Sequence, residues 1–476
     1  MQQSVILIYP KTGIEFRLNM PFSVLFVAAP LIAKGYVVQI LDQRVFSKKE
    51  FFQRLNDLIR GDVICVGISS MTGPQIKYGL EIARMIRKIN PKLLIVWGGI
   101  HPTILPENTL KHDLVDIVCR GEGEETFLEL IENFSKDQSI QLVRGISYKD
   151  SSREIFHNED REFIDLTKLP PLPYELLPIH KYIHSSELGE RVLAMYTSKG
   201  CPHKCSYCYN EVFNKRKWRS IPIESVIKDI TFFKSKFNVD SFDLLDDNFF
   251  VNKDRVLEFC RELKRKNLKI KWFADCRIDD IKKCDSYFLK IIRDSGLEQI
   301  FIGAESGCNR ILEFIKKGHK AEDIIEINTL LKHFDIQPVY SFMIGFPNET
   351  IAEIFQTIDV VDKLIKENKK AIIAGLNCWN PYPGTELYKS FVSDIVVPKS
   401  LDKWSHSASW YKAWGRDNKN IIENISFISN FLTIKKTRIP EVLLKIYLPV
   451  ARFRWRKRFF RSFLDTKIFD IYKSGR

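Results

Sequence analysis

Residues 200–208 read GCPHKCSYC and place Cys201, Cys205 and Cys208 at the spacing C-x3-C-x2-C. Three thiolates on one short loop can converge on a single metal centre. Structural zinc takes four ligands, but no fourth Cys or His stands at zinc-finger spacing, and thioredoxin-type chemistry needs only two cysteines. A [4Fe-4S] cluster held by three cysteines leaves one iron open to a substrate. This cysteine loop therefore predicts such a cluster, with His203 solvated rather than bound to metal.

The cysteine loop follows one apolar segment and precedes five more, with helical patterns between them. The predicted strands are Leu193–Thr197, Ser241–Leu245, Ile270–Ala274, Gln299–Gly303, Gln337–Ile344 and Ala371–Asn377. The predicted helices include Ile223–Phe237, Lys253–Lys266 and Ala321–Lys332. Such alternation is typical of parallel strands with helical crossovers. In closed or partly closed barrels of this kind, active residues cluster at the carboxyl ends of the strands.

Five of these strand ends are polar or contain glycine. They read DDNF (246–249), DCRID (275–279), GAESG (303–307), GFPNET (345–350) and NPYPGT (380–385). Any one of them fits a turn and a helix N-cap equally well, because Asp, Asn, Ser and Thr cap helices. The occurrence of all five after a cysteine loop favours one shared site.

The cysteine loop matches the CxxxCxΦC motif of the radical S-adenosylmethionine (SAM) superfamily, and the strand-end motifs are similar to those of its cobalamin-dependent members. The resemblance implies a partial (β/α)6 barrel in which the three cysteines bind three irons and the fourth iron chelates the amino and carboxylate groups of SAM. It assigns the other SAM contacts to Tyr207 beside the adenine, Asp247 or Asn248 at the methionine amino group, Arg277 at the carboxylate, and Glu305 and Ser306 at the ribose or amino end.

The first 135 residues carry a second alternation of strands and helices. Buried strands are predicted at Val5–Tyr9, Val37–Leu41, Val63–Ile68, Leu93–Trp97 and Ile117–Cys119, with a helix at Ile76–Ile89. This pattern predicts a doubly wound parallel sheet, in which ligands bind at the carboxyl ends of the strands. Glycines at that edge let a ligand approach the backbone closely, although tight turns explain strand-end glycines as well.

Residues 98–107 (GGIHPTILPE) and 116–127 (DIVCRGEGEETF) resemble the cobalamin-binding domain at the N-terminus of many radical SAM enzymes. The resemblance implies a corrinoid over the strand ends, in contact with Ser69, Thr72, Gly98, Gly99, His101, Thr103, Gly121 and Glu122. The sequence lacks the Asp-x-His-x-x-Gly motif of the methionine-synthase type, whose histidine coordinates cobalt. We therefore expect His101 to be structural or to contact the nucleotide tail, and the resemblance implies a cobalt that is easily reduced and remethylated.

The predicted fold class is α/β, with a doubly wound, Rossmann-like domain at residues 1–135 and a partial barrel at residues 191–390. Residues 136–190 form an ordered connector, because the prolines between residues 165 and 178 disfavour helix and central strand. Residues 391–476 form a small, mainly helical region that ends in a basic aromatic tail. The seven remaining cysteines show no second cluster spacing.

Charge is unevenly distributed along the 476 residues. Residues 433–476 hold 13 Lys and Arg against three acidic residues, a net charge of +10 out of +14 for the chain. The centre of this basic tail, RFRWRKRFFRSF at residues 452–463, interleaves basic and aromatic residues. It fits a packed or solvated helix, a helix on an anionic membrane surface or, least favoured, a nucleic-acid contact.

The sequence shows neither a secretory signal nor a span of about twenty apolar residues. We therefore expect a cytoplasmic protein, which becomes peripheral at the inner membrane surface if the basic tail binds lipid. The apolar fraction of 45% is sufficient for several buried cores and argues against wholesale disorder.

These resemblances imply a cobalamin-dependent radical SAM enzyme that uses a [4Fe-4S] cluster, SAM and cobalamin, with electrons from reduced flavodoxin or ferredoxin. The favoured activity is C-methyl transfer through a 5′-deoxyadenosyl radical, from methylcobalamin to an unactivated carbon of a lipid or secondary metabolite. Enzymes without net methyl transfer, acting by cyclisation or rearrangement, remain the alternative. A tRNA-modifying methylthiotransferase is less favoured, because its N-terminal domain carries three further cluster cysteines and this one offers Cys65 and Cys119.

Overall fold

The computed structural model describes residues 4–13, 17–405, 414–433 and 441–461. The first unit is a seven-stranded sheet of β1 (Ser4–Tyr9), β2 (Val37–Asp42), β3 (Val63–Ser69), β4 (Leu94–Gly98), β5 (Ile117–Cys119), β6 (Ile146–Lys149) and β7 (Ile155–His157). Its strand order is β2-β1-β3-β4-β5-β6-β7. Strands β1 to β5 are parallel, whereas β6 pairs antiparallel with β5, and β7 pairs antiparallel with β6 at the edge of the sheet.

Helices cover this sheet on both faces. They are α1 (Phe22–Ala33), α2 (Lys48–Ile59), α3 (Pro74–Ile89), α4 (Ile100–Ile104), α5 (Pro106–Leu110) and α6 (Gly123–Ser135). The chain leaves β1 and β3 in opposite directions, so right-handed crossovers place α1 and α3 on opposite faces. Parallel strands covered on both sides are continuous apolar runs, and residues 5–8 of β1 are accordingly almost inaccessible to solvent.

The first sheet extends further along the chain than the sequence predicts. Strands β6 and β7 come from the predicted connector, so the sheet continues past residue 135. The proline-rich residues 165–178 contain no strand, as their composition predicts. The strand order reverses between β1 and β3, and this reversal opens a crevice at the carboxyl edge of the sheet.

The second unit is a six-stranded, all-parallel sheet. Its strands are β8 (Val192–Met195), β11 (Ser241–Leu244), β12 (Lys271–Cys276), β13 (Leu297–Glu305), β14 (Gln337–Ile344) and β15 (Ile372–Cys378), in the order β15-β14-β13-β12-β11-β8. Strands β9 (Ser198–Lys199) and β10 (Arg219–Ser220) form a separate antiparallel ribbon on either side of the cysteine loop.

Helices connect successive strands of the second sheet. They are α7 (Ile223–Phe237), α8 (Lys253–Arg265), α9 (Ile278–Lys282), α10 (Ser286–Asp294), α11 (Asn309–Phe314), α12 (Ala321–His333) and α13 (Ile351–Glu367). Alternate residues of β14 are fully buried, and those between them are partly exposed. One face of the sheet therefore packs on the helices while the other lines the barrel interior. The predicted fold class is confirmed.

The C-terminal region contains α14 (Glu386–Ser390), α15 (Gly415–Ser429) and α16 (Glu441–Arg456). Ser429 and Thr433 accept hydrogen bonds from backbone N–H groups of β15, at 2.8 and 2.9 Å, so this region covers the edge of the sheet. Among the described residues, no helix is both long and apolar enough to cross a membrane.

Some residues in the described part of the basic tail contact the barrel. Trp455 donates to Asp362 of α13 at 2.7 Å, and Arg458 pairs with the same carboxylate at 2.9 Å. Phe453 and Phe459 remain about half exposed. The other predicted tail residues, 434–440 and 462–476, lie outside the described residues.

Candidate functional site

The cysteine loop begins directly after β9, near the carboxyl edge of the second sheet. Gly200 has a φ of +85°, and its N–H donates to the Asp247 carboxylate at 2.9 Å. The Ser206 N–H donates to the Ile315 carbonyl at 3.1 Å, and the Ser206 carbonyl accepts from the Leu387 N–H at 2.9 Å. The barrel thus holds the loop backbone at two positions, before and between the predicted ligands.

The three thiols of the loop are enclosed by protein. Cys205 is buried, and Cys201 and Cys208 are partly buried. Burial raises the pKa of Cys201 to about 11 and that of Cys208 to about 12, so metal binding at neutral pH must displace their protons. The Arg277 guanidinium lies 2.9 Å from Cys205 Sγ.

Two adjacent carboxylates follow β11 and have different partners. Asp246 is fully buried and accepts hydrogen bonds from the N–H and hydroxyl groups of both Thr197 and Ser198. It therefore ties β11 to the segment before the cysteine loop. Asp247 accepts from the Gly200 N–H and from the Tyr209 hydroxyl at 2.6 Å, and it also borders a cavity.

Asn248 is fully buried and has internal partners for its amide. Its Nδ2 donates to Asp280 Oδ2 at 2.6 Å, and its Oδ1 accepts from the Phe250 N–H at 3.1 Å. The contact of Asp247 or Asn248 with the SAM amino group stays a prediction. Asp247 is the one of the pair that borders open space.

Glu305, at the end of β13, is held in a strained conformation. Its φ is +63°, which is uncommon for a residue other than glycine and is typical of functional sites. Its carboxylate pairs with Lys317 Nζ at 2.9 Å, and both side chains are less than a tenth exposed. Lys317 Nζ also lies 3.3 Å from the Tyr207 hydroxyl. Lys317 therefore joins two of the predicted SAM residues.

Ser306 and Arg277 also lie at strand ends. Ser306 is fully buried, lies 3.2 Å from the Thr357 hydroxyl and accepts from the Cys308 N–H at 3.1 Å. Arg277 donates to Asp279 at 2.8 Å and to the Lys317 carbonyl. The structure thus brings Arg277, Glu305 and Tyr207 together around the cysteine loop, whereas the Ser306 hydroxyl is engaged inside the protein.

A cavity of about 490 Å³ lies between the carboxyl edge of the first sheet and the cysteine-loop side of the barrel. Five of the eight residues predicted to contact the corrinoid line it: Ser69, Gly98, Gly99, Gly121 and Glu122. On the barrel side it is lined by residues that include Tyr196, Lys199, Tyr209 and Asp247. One space therefore contacts both sets of predicted cofactor residues.

The three other predicted corrinoid residues, Thr72, His101 and Thr103, are not part of the cavity lining. His101 is 1% exposed, its Nδ1 lies 3.0 Å from the Thr72 hydroxyl, and its ring lies 5.5 Å from that of Trp404. Burial lowers the pKa of His101 to about 3, so the ring is neutral. The Thr103 hydroxyl accepts from the Gly121 N–H at 2.9 Å. The role of His101, structural or in contact with the nucleotide tail, stays a prediction.

The carboxyl edge of the first sheet at Ser69, Gly98, Gly99, Gly121 and Glu122 is called the corrinoid edge below. Gly99 provides a test of its predicted role. Its φ is +100°, and a Cβ at this position would lie 2.7 Å from the Ser70 carbonyl oxygen. We expect Gly99→Ala to introduce about 1–3 kcal/mol of local backbone strain. The affinity for cobalamin, measured by absorbance titration, should fall roughly tenfold or more. Gly35→Ala is the matched control, since Gly35 has a φ of +87° but open space around its Cβ position. Equal cobalamin affinity in the two variants would contradict the assignment.

The residues present fit the predicted groups. Three thiols on one loop match three irons, and the loop supplies no fourth cysteine. Asp247 and Glu305 offer acceptors for an amino group or ribose, and Arg277 offers a donor for a carboxylate. The glycines at the cavity edge permit close approach of a flat ligand.

Two family models match the chain in the expected order. The B12 binding domain matches residues 19–131, and the radical SAM superfamily matches residues 195–361. An uncharacterized methyltransferase of Pyrococcus horikoshii is 30% identical over 372 residues, which are 78% of each chain. The chain belongs to the cobalamin-dependent radical SAM enzymes. The predicted set of a [4Fe-4S] cluster, SAM and cobalamin is thereby confirmed for this radical SAM enzyme.

One further relative and one solved structure are similar to this radical SAM enzyme. An anaerobic magnesium-protoporphyrin IX monomethyl ester cyclase of Rubrivivax gelatinosus is 26% identical over 421 residues, covering 83% of this chain and 73% of the cyclase. The solved structure of OxsB, with aqua-cobalamin and SAM bound, has a TM-score of 0.73 at 19% identity. The match covers 95% of this chain and 72% of OxsB, and it shows a shared fold.

Two carboxyl groups inside the barrel of this radical SAM enzyme received no role of their own from the sequence: Asp243 was overlooked, and Asp275 was placed only within a polar strand end. Asp243 and Asp275 interrupt the otherwise largely apolar strands β11 and β12. Burial raises the pKa of Asp243 to about 6, and burial and neighbouring carboxylates raise the pKa of Asp275 well above its usual value. Arg17 of the first unit lies 4.0 Å from Asp243. A lone acidic residue within an apolar strand was the signal that could have identified them.

Proposed function

We propose that the enzyme is a C-methyltransferase that moves a methyl group from methylcobalamin to an unactivated carbon of a lipid or secondary metabolite. One observation supports this most directly. The same cavity is lined by Gly98 and Gly99 of the corrinoid edge and by Asp247, which hydrogen-bonds to the residue before Cys201. A methyl donor and a radical generator placed on these two walls would reach one substrate carbon.

When bound, the cluster with SAM supplies a radical that removes hydrogen from carbon, and cobalamin supplies the methyl group. The residues of the chain itself bind and orient SAM. Asp247 would hold the amino group of SAM, Arg277 its carboxylate, and Tyr207 would lie beside the adenine. The Lys317 ammonium fixes the Glu305 carboxylate, so its direction is set before any ligand arrives.

The barrel interior is suited to enclosing a substrate. Phe273 and Phe301 form an edge-to-face pair with centroids 6.4 Å apart. Phe273 lies on β12 and Phe301 on the adjacent strand β13. Asp275, two residues after Phe273 on β12, is the cross-strand partner of Phe301. Apolar rings limit the access of water, which protects a reactive carbon from side reactions. The carboxyl groups of Asp243 and Asp275 would orient a polar group of the substrate.

The alternative is a reaction without net methyl transfer. The Rubrivivax gelatinosus relative is named as a cyclase, and it covers most of this chain. Both reactions need the same cofactor set, so the residues around the cysteine loop do not separate them. The fate of the methyl group of SAM does separate them.

Methyl-labelled SAM tests the proposal. Purified holoenzyme is incubated anaerobically with reductant, SAM carrying a trideuterated methyl group, and a small-molecule and lipid extract of the source cells. Methyl transfer predicts a product that is heavier than its precursor by one trideuteromethyl group in place of hydrogen. Formation of 5′-deoxyadenosine together with an unlabelled, rearranged product would favour the alternative and overturn the proposal.

We also propose that reduced flavodoxin or ferredoxin supplies the electron. A separate proposal concerns the basic tail, which would place the enzyme on an anionic membrane surface. Phe453 is 59% exposed and Phe459 50% exposed. Exposed cationic side chains lie beside them at Arg452, Arg456 and Lys457. Aromatic residues flanked by cations are suited to the interface of an anionic bilayer.

Vesicle sedimentation tests the membrane proposal. The full-length double variant Phe453→Ser/Phe459→Ser should bind phosphatidylglycerol vesicles at least about thirtyfold more weakly, since it loses two apolar side chains worth roughly 1 kcal/mol or more each. Tyr287→Ser, at an exposed aromatic residue outside the tail, is the matched control. Unchanged vesicle binding in the double variant would remove the membrane role.

A further inference from the structure

Four charged side chains meet between the corrinoid edge and the ribbon that flanks the cysteine loop. Glu122 precedes α6 and Glu124 lies in its first turn, whereas Lys199 and Arg219 come from the ribbon strands β9 and β10. Arg219 Nη1 donates to Glu122 Oε2 at 2.6 Å, and Lys199 Nζ pairs with Glu122 at 3.3 Å and with Glu124. This four-residue group is called the interface network below.

The interface network is shielded from solvent and electrically balanced. The side chains of Glu122 and Glu124 are 4% and 5% exposed, and those of Lys199 and Arg219 are 18% and 16% exposed. Two anions face two cations, so no charge is left uncompensated. Removing one member of such a group leaves its partner as an unpaired charge that water solvates poorly. This destabilises the protein far more than removing both members of an ion pair.

The geometry of the network links two places that matter for the reaction. Lys199 and Arg219 are cross-strand partners, and the cysteine loop lies in the segment between them. Glu122 directly follows Gly121 of the corrinoid edge, and Lys199 lies two residues before Cys201. Glu122, Glu124 and Lys199 all line the cavity. A shift of the network would therefore change the separation between the corrinoid edge and the cysteine loop.

Neighbouring groups fix the network in one arrangement. The Ile164 N–H of the connector donates to Glu122 Oε2 at 3.0 Å. The Arg219 guanidinium lies 4.3 Å from the centre of the Phe163 ring, and the Lys199 ammonium lies 4.1 Å from that of Phe26. Two carboxylates at the start of α6 are also stabilised by the helix dipole. Each charge thus has a second restraint besides its ion pair.

We propose that the interface network is a positioning device, which holds the cysteine loop at one fixed distance from the corrinoid edge. Glu122, expected from sequence to contact cobalamin, acts through Arg219 and Lys199. The inference rests on the proposed placement of both cofactors on the walls of one cavity. Its test requires no substrate and no methyl transfer, so it can fail while the proposed function stands.

The test is the magnetic distance between the two cofactors. Holoenzyme containing cob(II)alamin and the reduced cluster is examined by pulsed dipolar electron paramagnetic resonance. Wild type should give one narrow distance distribution, and Glu122→Gln a distribution at least about twofold wider, because an unpaired buried cation loosens the contact. Glu125→Gln, three residues further along and more than half exposed, is the matched control and should resemble wild type.

Two further variants make the outcome decisive. Arg219→Gln, whose residue lies outside the cavity lining, should widen the distribution as Glu122→Gln does. The double variant Glu122→Gln/Arg219→Gln should be narrower than either single variant, because it restores charge balance and leaves the Lys199–Glu124 pair. A narrow, wild-type distance distribution in both single variants would overturn the proposal. So would the disappearance of the dipolar coupling between the two cofactors in the single variants, if the double variant does not restore it.

Discussion

Cys205→Ala is expected to abolish both the iron–sulfur cluster and the cleavage of SAM. Three thiols on one loop are predicted to hold the cluster, and the loop supplies no fourth cysteine to replace one of them. The variant should retain far less than the four irons per chain of a full cluster. Formation of 5′-deoxyadenosine should fall by on the order of 1,000-fold or more, since the variant loses the reactive centre and not one contact among many.

Cys378→Ala is the matched control for this variant. Cys378 is partly buried like two of the cluster cysteines, but it lies at the end of β15 and outside the loop. It should keep the iron content, the absorbance of the cluster and the rate of SAM cleavage. A Cys205→Ala protein with a full cluster and normal SAM cleavage would refute the assignment of the loop.

Lys317→Met is expected to destabilise the protein strongly. The Glu305 carboxylate would lose its buried ion pair at 2.9 Å and would remain in a backbone conformation that is already strained. Breaking a buried pair by removing one partner costs about 3–5 kcal/mol. We expect a loss of this size in the free energy of unfolding, measured by denaturant titration under anaerobic conditions.

The double variant Glu305→Gln/Lys317→Met separates this ion pair from other effects of the substitution. It carries no unpaired charge, so it should recover a large part of the lost stability. Its SAM affinity should stay reduced, because the acceptor predicted for the ribose or amino end is gone. Equal instability of the single and double variants would show that the charge of Glu305 is unimportant.

The sequence was sufficient to predict the parallel strands of both sheets and the polar strand ends of the barrel. Strand β14 has the predicted bounds, Gln337–Ile344, because its apolar run ends abruptly at a glycine and a proline. The cysteine loop was identified by spacing alone. Local chemistry of this kind is visible in a single sequence since each signal lies within a few neighbouring residues.

Partners that are distant in the chain could not be predicted in this way. Arg219 is 97 residues from Glu122, and Lys199 is 75 residues from Glu124, so only the packing of the two units brings them together. The same limit applies to Asn248, whose motif predicts a ligand contact. Its amide donates to Asp280, 32 residues away, a partner that the motif does not indicate. A motif gives the position of a polar group on a strand end, whereas tertiary packing determines which partner it meets.

The basic tail illustrates the same limit. Its composition favours a packed or solvated helix over membrane contact, but it does not assign either role to a particular residue. In the structure Trp455 packs against α13 through its indole N–H, while Phe453, two residues earlier, faces solvent. The division between docked and exposed faces depends on α13, which the tail's own sequence does not contain.

The central claim is that one enzyme holds the cluster, SAM and cobalamin around a single cavity. The most direct measurement uses anaerobically reconstituted wild-type protein, with both cofactors bound, mixed with SAM and a reductant. We predict that 5′-deoxyadenosine forms and that the cobalamin absorbance changes to that of methylcobalamin in the same sample. Reduced protein that is loaded with both cofactors and forms no 5′-deoxyadenosine would contradict the account.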